Sequence, residues 1–243
     1  MKEADVILAL GTRVGFNSTF YSYEHINAAA QIIQVELDPL AIGRFFRVAQ
    51  GIHDDTGVFV ESLSAALSGH KASAAVAAWT SAFHEKRKAL LLERESYATT
   101  IARIQPAKLY RSIRHLAPQG SIYTMDAGTL CLQATDQMAY HQPPSLFTPL
   151  DFGLVGFSYA AGLGIKLACT ERTVISLMGD GGFGITSSEL GTAAQYGIAT
   201  ICMVMNNGCW GAEKAYQRDF FGQRISARTC PTRPTTSWPS CGA

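Results

Sequence analysis

The sequence predicts an α/β chain built on parallel sheets, and three observations carry that reading. Apolar runs of strand length alternate with stretches of helical spacing, the pattern of parallel strands joined by crossover helices. Several runs end in Gly, Asp or Asn, as where Met178 leads into Gly179-Asp180-Gly181-Gly182 and Met205 into Asn206-Asn207-Gly208. A helix-length stretch from Gly153 to Cys169 is rich in small residues, so its backbone is able to approach a sheet closely.

The elements follow in chain order. Ala4 to Leu10 and Gln31 to Leu37 read as strands, the second stopped by Asp38-Pro39, and a shorter third covers Arg47 to Ile52. Thr56 to Leu67 has helical spacing, with Gly69 as its stop. Such strands imply a sheet buried on both faces. Residues 70 to 104 change texture, becoming Ala-rich and then charged, and read as a helical connector. The basic run Lys86-Arg87-Lys88 reads as an exposed helix face. Ala107 to Leu116 reads as a helix with Pro at its start. Ser121 to Met125 is a strand leading into Asp126-Ala127-Gly128-Thr129, and Thr173 to Met178 is another. Thr186-Ser187-Ser188-Glu189 matches a capping box, so a helix is expected from 187 to Tyr196, ended by Gly197. Ala199 to Met205 is the last strand.

Composition excludes several classes. The 243 residues carry 20 basic and 19 acidic side chains, so no global field draws the chain to nucleic acid or an acidic membrane. At 47% hydrophobic residues the chain is not disordered. Charged residues are only 16%, against about 25% in soluble proteins at large, which points to surface covered by a partner or further domain. No apolar run reaches the roughly 20 residues of a membrane helix. The six cysteines form no C-x-x-C pair and read as reduced, which fits the cytoplasm.

The chemistry concentrates between Thr173 and Gly208. Two parallel strands joined by one helix end on the same side of the sheet, where open sheets bind ligands. Asp180 then meets Asn206-Asn207 in space. A carboxylate from Asp180, an amide oxygen from Asn207 and the carbonyl of Cys209 form an all-oxygen set suited to Mg²⁺. Gly179, Gly181 and Gly182 admit a close backbone approach, and helix-start amides favour an anion. The expected occupant is a Mg²⁺-bound diphosphate. Other candidates are weaker. His53-Asp54-Asp55 has metal-binding residue types at adjacent positions and reads as a loop; His25, His84, His115 and His141 have no visible partner. Gly11 to Gly15 is not the dinucleotide fingerprint, so no FAD is expected.

The layout G-D-G, 24 residues, then N-N resembles the thiamine diphosphate signature of the acetolactate synthase and pyruvate decarboxylase superfamily. The stretch from Asn206 through Trp210-Gly211-Ala212-Glu213-Lys214, continued by Gln217 and Asp219, is similar to that of the sulfoacetaldehyde acetyltransferases. The resemblance implies a Rossmann-like, partial central domain at 1–69, a connector at 70–104 and a partial diphosphate-binding α/β domain at 105–224. It implies thiamine diphosphate and Mg²⁺ as cofactors, with Asp180, Asn207 and Cys209 on the metal. Gly128, Thr129, Gly179, Gly181, Gly182, Gly208 and Trp210 would line the cofactor, and Val155 stands where relatives place a wedge beneath it.

The implied activity is carbon–carbon bond chemistry, with acetyl transfer from sulfoacetaldehyde to phosphate in a full-length parent. The rivals are an acetolactate synthase or 2-keto acid decarboxylase activity, and a non-catalytic fragment. In this family a pyrimidine-binding domain carries the Glu that assists loss of the cofactor's C2 proton. The chain is expected to lack that domain, so no catalytic residue is assigned. A homo-oligomer or a separate pyrimidine-domain partner is expected, and a small-molecule substrate. From 225 to 243 the chain is rich in Pro, Thr, Ser and Cys without periodicity. An irregular tail is expected there, one that GC-rich codons would produce by a frameshift.

Overall fold

The computed structural model describes residues 1–19, 22–96, 104–138, 140–149 and 152–226. The expectation for the tail therefore lies almost wholly outside the described residues. The chain divides into two compact units, Met1–His84 and Glu85–Ala243.

The first unit orders its elements as β1 (Val6–Leu10), α1 (Phe16–Thr19), β2 (Gln31–Glu36), β3 (Gln50–His53) and α2 (Thr56–Ala66). All pairings are parallel, in the order β1-β2-β3, with Val6 opposite Gln31 and Ile33 opposite Gln50. Ala9, Val14, Ile26, Ile32 and Phe46 form its core. Gln34, within the apolar run, is buried because its amide ties three turns together. It donates to the carbonyls of Thr12 (3.0 Å) and Ala41 (3.2 Å) and accepts from the Gly43 N–H (2.9 Å).

Two expectations change here. The third strand starts at Gln50 rather than Arg47. The sheet is not covered on both faces either, since Val6, Leu8 and Leu10 remain exposed on β1. The side chains of a strand alternate, so one face of the unit's edge strand stays bare. His53 and Asp55 find local partners. His53 Nε2 meets the Leu37 carbonyl at 3.0 Å, and Asp55 caps α2 by accepting from the Gly57 (2.8 Å) and Val58 (3.2 Å) N–H groups. That is ordinary N-cap chemistry and accounts for the Asp without a metal.

Next in the chain is α3 (Ala74–Ser96), on which Lys86, Arg87 and Lys88 are exposed, as expected. Near its end Glu95 pairs with Arg111 (2.9 Å) and Arg114 (3.4 Å), and Arg94 pairs with Asp136.

The second unit continues with α4 (Pro106–Leu116), β4 (Ile122–Met125), α5 (Thr129–Gln137) and β5 (Leu146–Phe147). It closes with α6 (Phe157–Ala168), β6 (Val174–Gly179), α7 (Asp180–Thr186), α8 (Glu189–Tyr196), β7 (Ile201–Met205) and α9 (Gly211–Phe220). Pro106 occupies the first turn of α4, where its missing N–H costs nothing. The sheet order is β5-β4-β6-β7, all parallel. β4 and β6 are buried along almost their whole length, as a doubly covered sheet requires.

Alternate residues serve opposite faces of that sheet. Tyr123, Met125, Ile175 and Leu177 pack with Tyr110, Ile113, Cys131, Ala134 and Met138. On the other face Thr124 and Ser176 meet α6. Thr124 Oγ1 lies 3.2 Å from Ser158 Oγ and donates to Ser176 Oγ at 2.8 Å. A Cβ on Gly162 would collide with Ser176 Oγ, so α6 sits as close to the sheet as its small residues allow.

Candidate active site at the carboxyl edge of the second sheet

The strand order places a crevice before any side chain is considered. From β4 the chain moves outward to β5, then returns through α6 to β6 on the other side of β4. The connections therefore diverge at the β4/β6 pair, and the carboxyl edge there is the usual ligand position of an open parallel sheet. Asp126 follows β4, Asp180 follows the last residue of β6, and Asn206 follows β7.

Register brings Asp180 and the asparagines together. Gly179 pairs with Met205, so the residues after each lie side by side. The Asn207 N–H donates to Asp180 Oδ1 at 3.4 Å. Asp180 is buried, at 2% exposure, and its Oδ2 has no hydrogen-bond partner. A buried acceptor left unpaired costs about 1–3 kcal/mol, so an occupant that binds this oxygen recovers that cost. Asn206 Oδ1 accepts from the Gly208 N–H (3.0 Å), and Asn207 Oδ1 accepts from the Cys209 N–H (3.1 Å). Gly208 adopts φ +68°, a left-handed conformation that lets the chain turn back toward Asp180. The Cys209 thiol also donates to Asn207 Oδ1, at 3.5 Å, so a ligand on this oxygen would displace that weak contact. Among the described residues no three His, Cys, Asp or Glu side chains cluster as a metal site. The two groups that register brings together, the Asp180 carboxylate and the Asn207 amide, are hard oxygen donors of the kind Mg²⁺ takes.

The glycines are explained by their neighbours. A Cβ on Gly181 would lie 3.2–3.3 Å from the Trp210 indole, so Trp210 packs flat against the start of α7. A Cβ on Gly182 would collide with Asp126 Oδ2 and would lie 3.5 Å from Val155 Cγ1. Gly128 (φ +98°) caps α5, and Thr129 is the first residue of that helix, one strand over at the same edge.

The local backbone differs from expectation in one respect. Asp180 to Thr186 is already helical, and α8 follows after a break at Ser187-Ser188. The capping box does not form, and Ser188 makes no side-chain cap bond. Ser188 has helical dihedrals, and the Leu190 and Gly191 N–H groups already donate to the Ser187 and Ser188 carbonyls, which removes the need for a cap. The helix start nearest the site is thus that of α7. Gly197 ends α8 in the left-handed conformation, as expected.

Sequence reasoning missed the role of Asp126. Its carboxylate is buried at 1% exposure and accepts from three amides at the start of α6. The Gly156 N–H reaches Oδ2 at 3.0 Å, and those of Phe157 and Ser158 reach Oδ1 at 2.8 and 3.4 Å. Burial pushes the Asp126 carboxyl above its ordinary range, while these N–H groups pull the other way. The available signal was an acid at a strand end together with a helix start, Gly156-Phe157-Ser158, that has no acidic or amide cap of its own.

Two family models match this chain. The model of the thiamine pyrophosphate enzyme central domain matches residues 1–63, and that of the C-terminal TPP binding domain matches 126–241. The second match runs through most of the segment read above as an irregular tail. The chain is 28% identical over 249 residues to a sulfoacetaldehyde acetyltransferase of Alcaligenes xylosoxydans xylosoxydans, covering 93% of this chain and 41% of that protein. It is 31% identical over 234 residues to that of Roseovarius nubinhibens (88% and 39%). It is 27% identical over 228 residues to an acetolactate synthase large subunit of Haemophilus influenzae (93% and 39%). The chain thus spans about two fifths of the length of the curated relatives it matches. With its two parallel sheets and the glycine-lined edge of the second, the chain belongs to the thiamine pyrophosphate enzymes, whose central and C-terminal TPP binding domains it carries.

Proposed function

We propose that the carboxyl edge of β4, β6 and β7 holds the diphosphate of thiamine diphosphate through Mg²⁺. Asp180, Asn207 and the Cys209 carbonyl would hold the metal. Gly128, Thr129, Gly179, Gly181, Gly182, Gly208 and Trp210 would line the cofactor, with Val155 beside Gly182. The observation that carries this reading is the buried, unpartnered Oδ2 of Asp180, which register sets beside Asn207. When bound, the cofactor supplies a nucleophilic C2 carbon and an electron sink. This chain's residues bind and orient. Asp180 offers the anionic oxygen, the glycines keep the backbone close, and the Trp210 indole covers the first turn of α7.

For a protein with the full length of these relatives, our reading of the activity is acetyl transfer from sulfoacetaldehyde to phosphate. The resemblance of Trp210 to Lys214 and the identities to sulfoacetaldehyde acetyltransferases support it. A second reading, acetolactate synthesis, is favoured by the identity to acetolactate synthase large subunits. Sulfite release from sulfoacetaldehyde in the presence of phosphate favours the first, and acetolactate formation from pyruvate the second. Cys131, Cys169, Cys202 and Cys209 are free thiols, in keeping with work in the cytoplasm.

The direct test titrates thiamine diphosphate into the chain with and without Mg²⁺, following tryptophan fluorescence. Saturable binding that needs Mg²⁺ and is lost in Asp180→Ala is the expected result. Binding that survives Asp180→Ala would reject the metal assignment.

A further inference from the structure

We propose that Asp126 is a positioning residue that presets the floor of the cofactor site by clamping the start of α6 to the first turn of α7. The inference rests on the reading that this edge binds Mg²⁺ and thiamine diphosphate. It concerns a carboxylate that is not a ligand, because both of its oxygens are already engaged by this chain.

The geometry is specific. Asp126 is held at the end of β4, where its own N–H donates to the Leu177 carbonyl of β6 at 3.0 Å. One oxygen takes the Gly156 N–H and the other those of Phe157 and Ser158, at 3.0, 2.8 and 3.4 Å. These are the opening amides of α6, which a helix cannot satisfy internally. Gly156 is itself the N-cap and has no side chain to serve them. The cap therefore comes from a different strand, and its negative charge faces the positive end of the helix dipole. The same carboxylate stands where a Cβ of Gly182 would go. Gly182 is two residues from Asp180, and Gly156 follows Val155. One side chain thus fixes the distance between the 155–158 segment and the backbone that carries Asp180. Both segments must hold still for a diphosphate to be gripped without paying for loop ordering on binding.

The variant Asp126→Asn tests this, since it keeps the shape but replaces one acceptor with a donor. Two quantities are read on the full chain: amide hydrogen exchange by residue, and the Kd for thiamine diphosphate at saturating Mg²⁺. The expected result is faster exchange confined to 156–158 and the start of α7, unchanged exchange in β6 and β7, and a Kd weaker by roughly tenfold, about one charge-assisted hydrogen bond's worth. Faster exchange at 156–158 with an unaltered Kd would overturn the proposal, because the cap would then be structural only. Unaltered exchange would overturn the clamp itself. If the wild-type chain shows no Mg²⁺-dependent binding, the cofactor reading fails first and the proposal falls with it; the exchange data still report whether the cap exists. Should Asp126→Asn lose its native circular dichroism, Asp126→Ser, smaller and with a hydroxyl acceptor, takes its place under the same criteria.

Discussion

Removing Asp180 should make the ligand-free chain slightly more stable and the ligand-saturated chain much less so. The side chain is buried with Oδ2 unpartnered, and relieving such an oxygen returns about 1–3 kcal/mol. Two losses oppose that gain. The bond from the Asn207 N–H is long, at 3.4 Å, and belongs at the weak end of the hydrogen-bond range, about 0.5 kcal/mol. Asp180 is also the acidic residue in the first turn of α7, which contributes about 0.3–1 kcal/mol. The balance for Asp180→Ala is a gain of about 1 kcal/mol, or roughly 2–4 °C in midpoint for a chain of this size. A ligand at a hundred times its Kd adds about 2.7 kcal/mol to a protein that binds it only when folded. The wild type should gain that increment from Mg²⁺ and thiamine diphosphate, and the variant none, so the two melting curves exchange order. The assay is thermal denaturation followed by circular dichroism, with and without both ligands. A ligand-free loss above about 1 kcal/mol would show that Asp180 is a structural group and refute the reasoning. So would a ligand-induced shift retained in the variant.

Other outcomes follow from single contacts. Gly182→Ala should abolish Mg²⁺-dependent cofactor binding, because its Cβ would displace the Asp126 carboxylate; combined with Asp126→Ala, the stability loss should be less than the sum of the two, as a double-mutant cycle in urea would show. Gly162→Ala should destabilise by about 1–3 kcal/mol through overpacking against Ser176 Oγ, and Ser176→Ala should relieve most of it, measured by the same unfolding. Cys202 is pushed up by burial from 9.0 to about 11, so its folded form keeps a proton the unfolded chain releases. Its contribution to stability should be complete below pH 9 and disappear as pH rises toward 11, and Cys202→Ala should flatten that part of the pH–stability curve. Asp55→Ala should cost about 1 kcal/mol in the first unit through loss of the α2 cap, read as faster amide exchange at Gly57 and Val58.

Apart from the two-residue β5, the strands, their parallel arrangement and the meeting of Asp180 with Asn207 are legible in the sequence. Each follows from local pattern: an apolar run has a length, a crossover has a hand, and strands of one strand–helix–strand unit end on one side. Boundaries shifted by a few residues, and the capping box at 186–189 did not form, because Ser188 keeps helical dihedrals and the Leu190 and Gly191 amides bond the Ser187 and Ser188 carbonyls. Relations between segments far apart in the chain were set by the fold alone. In sequence Asp126 opens the loop whose Gly128 and Thr129 the resemblance sets on the cofactor, and nothing local says that it caps a helix 30 residues later. Gly181 and Gly182 read in sequence as a close backbone approach to a diphosphate, and in the fold Trp210 lies against one and Asp126 against the other. Val6, Leu8 and Leu10 have the composition of a buried strand and remain exposed, since burial depends on what packs over a face and not on the residues that make it. Periodicity is a property of neighbours in the chain, whereas a collision or a cap between distant residues exists only once the sheet has fixed their separation.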